Sequence, residues 1–368
     1  MYHHIRLLSD SHSVTLIALS DQVVSLQQTE ALAPYCESVH VFRLTPAGIA
    51  LGLLRGVFSK KPFQSHYFYR KSIDRKIQRI LRSVNPDVLY CQLLRMAAYC
   101  DTWTGPKVLD YMDTFSLGMD RRIVQSPFWK RPLLRWEKRK LLWYESELSK
   151  QFDRFSIISQ QDRNALPFEE QRQVVIIPNG VDASYFKPDS DLLPIHDLVF
   201  VGNMGYFPNV KAAEILAMKI LPALRQSASR SLLLAGARPV AEVRALGADQ
   251  DVHLTGWLED IRDGYRQGRI FVAPLFAGSG QQNKILEAMA MGMACIVTPI
   301  VNEAIGARDG REIFVAETVE DMIQLSMMLL DNAEKRNTMG QAARDFVTRT
   351  YDWNAVGRQV ETWLFPSH

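Results

Sequence analysis

The chain has 368 residues, 47% hydrophobic and 23% charged. That length exceeds one typical core and predicts two domains, and the composition excludes a disordered protein. The net charge of +3 excludes a dedicated nucleic-acid binder, although residues 1–185 carry 25 Lys and Arg against 18 Asp and Glu and the remainder 18 against 22.

In chain order, short apolar runs recur between helix-length segments. Val14–Leu19, Val39–Phe42, Val88–Cys91, Lys107–Leu109, Phe155–Ile158 and Val174–Ile177 read as strands of a first domain. Leu198–Val201, Leu232–Ala235, Val252–Leu254, Ile270–Ala273, Cys295–Thr298 and Ile313–Val315 repeat the pattern. Non-alternating, β-branched strands between helices predict parallel sheets covered on both faces, hence two doubly wound Rossmann-like domains facing a cleft. Residues 177–188, Ile-Pro-Asn-Gly-Val-Asp-Ala-Ser-Tyr-Phe-Lys-Pro, have two prolines, an Asn-Gly turn and no periodicity, which marks the boundary. The expected division is 1–185, 186–350 and a closing helical segment, 351–368. Within that segment, Trp353, Val356, Val360, Trp363 and Leu364 share one face.

Cys36, Cys91, Cys100 and Cys295 show no metal or redox spacing and predict free thiols. No apolar run reaches the ~18 residues that span a bilayer, and no signal peptide is visible, so a cytoplasmic protein is expected. The Asp-x-Asp pairs at 189/191 and 249/251 lie in the linker and in a loop before a strand, and no metal site is expected at either. The eight histidines form no metal-ligand constellation.

The most informative stretch is residues 274–292, which follow the run Ile270–Ala273. A strand ends at Pro274, a loop carries Gly278, Ser279 and Gly280, and after Gln282 a helix opens at Asn283 with Lys284 in its first turn and Glu287 one turn on. Loose backbone N–H groups and the helix dipole favour an anion there, and Lys284 adds a full charge. Glu287 is placed to accept from sugar hydroxyls. The combination points to a sugar nucleotide, with an ordinary strand–helix turn as the alternative. The turn Gly202-Asn203-Met204-Gly205 stands between another strand and helix and is a second candidate phosphate contact.

Taken in order, Ile-Pro-Asn-Gly-Val-Asp (177–182), Leu-Val-Phe-Val-Gly-Asn-Met (198–204), Leu-Leu-Leu-Ala-Gly (232–236), Val-His-Leu-Thr-Gly-Trp (252–257), Asn-Lys-Ile-Leu-Glu-Ala-Met-Ala-Met-Gly (283–292) and Tyr-Asp-Trp (351–353) resemble a family 4 glycosyltransferase of the GT-B type over nearly the whole chain. Tyr-Phe-Pro-Asn (206–209) and Gln-Asn-Lys (282–284) resemble the branch found in exopolysaccharide gene clusters. The resemblance implies a second domain that binds a nucleotide-sugar and a first that binds the acceptor, with a retaining, metal-independent transfer and no cofactor. It places the ribose-binding carboxylate at Glu287, base-reading backbone near Gly256 and Trp257, and an N-terminal-domain functional residue at Asp113. It makes Asp113, Lys284 and Glu287 the catalytic candidates.

Three departures stand out. Ser279 occupies the place of the first of two paired glutamates. Asn203 and Asn209 hold positions where Arg and Lys are usual, with Lys211 two residues on. The chain opens at Tyr2-His3-His4-Ile5, inside what resembles the family's first helix, so the first strand is expected to be missing through truncation or a late start codon. These departures motivate a rival reading, a donor-binding or scaffolding protein without transfer; a sugar-nucleotide epimerase is a third.

Residues 121–140 carry Arg121, Arg122, Lys130, Arg131, Arg135, Lys138, Arg139 and Lys140 against one acid, Glu137, and aromatics continue to Trp143. Such a segment suits an anionic membrane surface, each cation adding ~1 kcal/mol near it, or a solvated helix with one face in the core. The first reading fits a peripheral enzyme at the inner face of the membrane with a lipid-linked or carbohydrate acceptor.

Overall fold

The structure is a computed structural model and describes residues 2–189, 193–276 and 281–366. It divides into two compact units, residues 1–178 with 357–368, and residues 179–356. The last helix, Trp353–Leu364, gives its first turn to the second unit and the rest to the first.

In the first unit, β1 (Thr15–Ser20) pairs in parallel with β2 (Ser38–Arg43). A separate parallel sheet has β3 (Leu89–Gln92), β4 (Lys107–Asp110), β5 (Arg154–Ile157) and β6 (Val175–Ile176) in that order. These strands lie within two residues of the predicted runs. The sheet is nonetheless in two pieces: among the described residues, β1 pairs with β2 alone and β3 with β4 alone. A cleft of about 770 Å³ lies along both strands, lined among others by Ile5, Leu16, Ala18, Ile77 and Tyr90. Every residue of β1 is only half-buried, unusual for a parallel strand, because one edge and part of each face open onto that cleft. The helix Lys71–Val84 buries Ile73, Ile77 and Leu81, spaced four apart, and Asn85 ends it in the left-handed region at φ 47°.

The second unit holds one six-stranded parallel sheet: β7 (His196–Val201), β8 (Leu232–Ala235), β9 (Val252–Gly256), β10 (Gly268–Ala273), β11 (Ala294–Val297) and β12 (Phe314–Val315). Its spatial order is β12-β11-β10-β7-β8-β9. β8 and β11 are buried throughout, as strands covered by helices on both faces must be. The chain runs outward from β7 in one direction and from β10 in the other, so the order reverses between these two neighbours. Such a switch point is where open α/β sheets bind ligands, at the carboxyl ends of the strands.

Two observations bear on the basic segment. Lys140 is buried, with Nζ donating to Gly56 O at 2.6 Å, so it is not among the cations open to a membrane. Lys138 is bound to Asp120 at 2.6 Å. All four cysteines are free. Among the described residues, no helix is long and apolar enough to cross a membrane.

Candidate functional site

The carboxyl ends of β7 and β10 bring two helix starts together. β7 runs into Gly202-Asn203-Met204-Gly205 and then the helix Phe207–Ile215. β10 runs toward the helix Asn283–Ala290, whose N-terminal turn is not capped by the Gln282 side chain. Glycine is required beside this turn: Gly236, at φ 136°, lies so near Gly202 that a Cβ would sit 1.9 Å from the Gly202 carbonyl oxygen. A Cβ on Gly202 would in turn meet Asn209 Nδ2 at 2.7 Å.

Lys284 crosses from its helix to the other one. Its Nζ donates to Asn209 Oδ1 at 2.7 Å and to Gln282 Oε1 at 3.2 Å. Asn209 is itself buried and donates from Nδ2 to the Asn203 carbonyl at 3.0 Å. Asn209, which stands where the family resemblance implies a lysine, thus positions Lys284. Burial lowers the Lys284 ammonium to about 8, against the opposing pull of Glu287. One turn on, Glu287 Oε2 accepts from the Tyr265 hydroxyl at 2.6 Å. Burial raises the Glu287 carboxyl above its ordinary range, while the Tyr265 hydrogen bond and the Lys284 charge hold it down. Cation and carboxylate are therefore both partly desolvated, which strengthens their interaction with any ligand.

The other sequence candidates distribute unevenly. Gly202 and Asn203 lie at the end of β7, Gln282 and Asn283 at the opening of the second helix. Gly256, at φ 66°, ends β9 and Trp257, 72% exposed, follows it; the carboxyl end of this strand is two strands from the switch point. Lys211 is not brought into the group; it is exposed and paired with Glu214 at 2.6 Å. Gly278, Ser279 and Gly280 lie outside the described residues, as does Asp191. Asp249 and Asp251 are both engaged by Arg225, at 2.6 and 2.8 Å. Among the described residues, no group of three or more His, Cys, Asp or Glu is arranged to hold a metal.

Sequence reasoning missed Tyr265 and Gln281. Gln281 is buried and takes both hydrogen-bonding groups of Asn179: it accepts from its N–H at 2.7 Å and donates to its carbonyl at 2.8 Å. This fixes Asn179 to the segment entering the Lys284 helix.

In the first unit, Asp113 is exposed, one residue before Thr114 leads into the helix Phe115–Gln125. The preceding Met112 is left-handed at φ 62°, a strained backbone for a residue with a side chain. The turn is held by buried carboxylates. Asp110 accepts from Tyr90 Oη at 2.9 Å and from the Met112 N–H at 3.0 Å. Asp162 accepts from the Thr114 N–H, and its carbonyl accepts from the Thr114 hydroxyl at 2.6 Å. Asp113 is thus an exposed carboxylate on a tightly held loop.

Comparisons with known proteins agree with this architecture. Residues 195–332 match the family model of the group 1 glycosyl transferases. A glycosyltransferase from Rickettsia africae superposes with a TM-score of 0.68 at 13% identity, over 99% of this chain and 95% of that one. Anabaena HepE in complex with UDP and glucose gives 0.68 at 14% identity, over 99% and 95%. WaaG, a glycosyltransferase involved in lipopolysaccharide biosynthesis, gives 0.63 at 14%, over 100% and 95%. No curated protein sequence matches the chain. The fold is GT-B. The family match is confined to the second unit, and the superpositions extend the likeness in fold over the whole chain.

Proposed function

We propose that the protein transfers a sugar from a nucleoside-diphosphate donor to a carbohydrate or lipid-linked acceptor in surface polysaccharide assembly, with retention of configuration and without a metal. The observation that carries this reading is the meeting of Lys284, Asn209, Glu287 and Tyr265 at the switch point between β7 and β10. The bond from the anomeric carbon to the diphosphate breaks, and its electron pair goes to the phosphate oxygen. The N-terminus of the Asn283–Ala290 helix and Lys284 stabilise that charge as it builds. The acceptor oxygen bonds to the anomeric carbon, and its proton passes to the departing phosphate oxygen. Glu287, steadied by Tyr265, accepts from the ribose hydroxyls, and the backbone at Gly256 and Trp257 meets the base. Asp113 orients a hydroxyl of acceptor or donor sugar. Anabaena HepE, solved with UDP and glucose, supports a uridine nucleotide as the first donor to try.

The reading places the enzyme in the cytoplasm, at the inner face of the membrane, with the basic and aromatic segment 121–143 against anionic lipid. Thermal-shift titration with UDP, GDP, ADP and their sugar conjugates tests the donor, since a ligand of the folded state raises the melting temperature. A shift with one nucleotide, followed by transfer that persists in EDTA, is expected. Binding without turnover on any acceptor would make this a donor-binding scaffold. Conversion of the donor with no acceptor would make it an epimerase. No shift with any nucleotide would remove the donor site.

A further inference from the structure

The helix Pro46–Val57 packs inward through glycines beside Ile49 and turns Leu51, Leu54 and Val57 outward. Gly52 and Gly56 are buried, and a Cβ on Gly52 would lie 2.3 Å from the His66 carbonyl oxygen, so this glycine face presses backbone to backbone on the helix Phe63–Phe68. Leu51, Leu54 and Phe58, at helical spacing, face solvent; Leu54 is 61% and Phe58 88% exposed. Ordinary surface helices do the reverse.

This ridge is joined to the basic segment. Lys140, on the helix Arg131–Leu148, donates to Gly56 O at 2.6 Å and lies 4.1 Å from the centre of the Trp136 ring. Glu137, on the same helix, accepts from the backbone N–H groups of Phe63 at 2.8 Å and Gln64 at 3.2 Å. Beyond the start of that helix, Phe128 is 81% and Trp129 65% exposed. Apolar side chains in such number on two joined segments mark a contact surface.

The charges around it identify the partner. Residues 38–73 contain no acid, and residues 121–144 contain Glu137 alone, which is buried. Arg55, Lys60, Lys130, Arg135 and Arg139 are exposed. A second copy of this face would set like charges against each other. An anionic bilayer complements every one of them and accepts the aromatic and aliphatic side chains at its headgroup boundary.

We propose that the Leu51–Leu54–Phe58 ridge and the Phe128–Arg139 segment form one docking face for an anionic lipid bilayer, with the ridge as the inserted part. The proposal deepens, and rests on, the reading of a membrane-borne acceptor. The test is co-sedimentation with vesicles of phosphatidylcholine plus phosphatidylglycerol, and of phosphatidylcholine alone. Leu54→Ser with Phe58→Ser, and separately Arg135→Gln with Arg139→Gln, should each lower the affinity for anionic vesicles by about tenfold or more. Brominated lipid should quench the fluorescence of the parent through Trp129. Unchanged binding of the Leu54/Phe58 variant would exclude the ridge. Equal binding of both vesicle types by the parent, or none to either, would exclude an anionic bilayer. Self-association of the parent that the Leu54/Phe58 variant loses would assign the face to a second copy. The nucleotide thermal shift, which reads the second unit, should be the same in parent and variants and reports their folding. Vesicle binding without any nucleotide shift would sink the donor reading and leave this face standing.

Discussion

The Tyr265 hydroxyl donates to Glu287 Oε2 at 2.6 Å, from the helix Arg262–Arg266 to the helix Asn283–Ala290. The Tyr265 side chain is fully buried, so the bond is shielded from competing water. It fixes one carboxylate oxygen and leaves the other for a ligand.

Tyr265→Phe keeps the packing and removes that bond. A hydrogen bond to a charged group is worth about 1.5–3 kcal/mol, so nucleotide affinity should fall by roughly ten- to a hundredfold with the fold retained. Glu287→Ala should cost at least as much. Calorimetric titration with the nucleotide found by thermal shift decides it. Full affinity in Tyr265→Phe would show that the tyrosine merely fills space.

Lys284 gives a pH dependence with a definite sign. In the free protein its ammonium titrates near 8, lowered by burial. A bound diphosphate favours the charged form, so binding takes up protons around and above that pH. Nucleotide affinity should hold from about pH 6.5 to 7.5 and fall by about tenfold per unit above pH 8, until the pKa of the complex is passed. The group's own linkage to stability runs the other way. Its folded pKa lies below the unfolded value of 10.5, so the unfolded state binds more protons between about 8 and 10.5 and the cost of burial is relieved as pH rises. A Lys284→Met variant should lose the pH dependence of binding together with most of the affinity. An identical pH profile in parent and variant would assign the titration elsewhere.

The strands were legible because buried parallel strands write themselves as short β-branched runs, and the six of the second unit fall where those runs lie. The Lys284–Glu287 pair was legible because three residues of helix put both on one side of a strand-to-helix turn. Tyr265 was not, because a lone tyrosine on a five-residue helix carries no pattern; only the packing of that helix beside β7 and β10 brings it to Glu287. In Pro46–Val57, the glycine-to-backbone contact that turns Leu51 and Leu54 outward is a tertiary fact that the sequence pattern does not carry. Lys140 misled for the same reason: its neighbour Arg139 is an exposed cation, but the helix turns Lys140 onto Gly56.

Glu145 should set a second pH dependence, in stability. It is fully buried, accepts from the Ser116 N–H at 3.1 Å, and burial raises its carboxyl to about 7. The folded state therefore holds the proton where the unfolded chain, near 4.5, has released it. Its contribution is fully present below about pH 4.5 and is lost as pH rises through 7. Glu145→Gln keeps the acceptor and removes the charge. It should match the parent in denaturant midpoint near pH 5 and exceed it near pH 8 by about 1–3 kcal/mol. A variant less stable than the parent at pH 8 would mean that the ionised carboxylate is held by contacts stronger than its burial.

The divided sheet of the first unit predicts uneven local stability. β1 pairs along one edge and is half-buried, and a two-stranded sheet has little stability of its own. β7 pairs on both sides and is buried apart from Asp197. Amide protection reports the free energy of the smallest opening that frees each N–H, and edge strands beside an open cleft open first. The amides of Leu16–Leu19 should exchange at least about a hundredfold faster than those of Leu198–Val201 under native conditions. Hydrogen exchange read by mass spectrometry on peptides covering the two strands measures this directly. Equal protection would mean that the helices Lys71–Val84 and Trp353–Leu364 tie β1 into one cooperative unit, so that opening it requires unfolding the whole first unit. A hydrophobic ligand seated in the 770 Å³ cleft should slow the exchange of β1 and leave β7 unchanged.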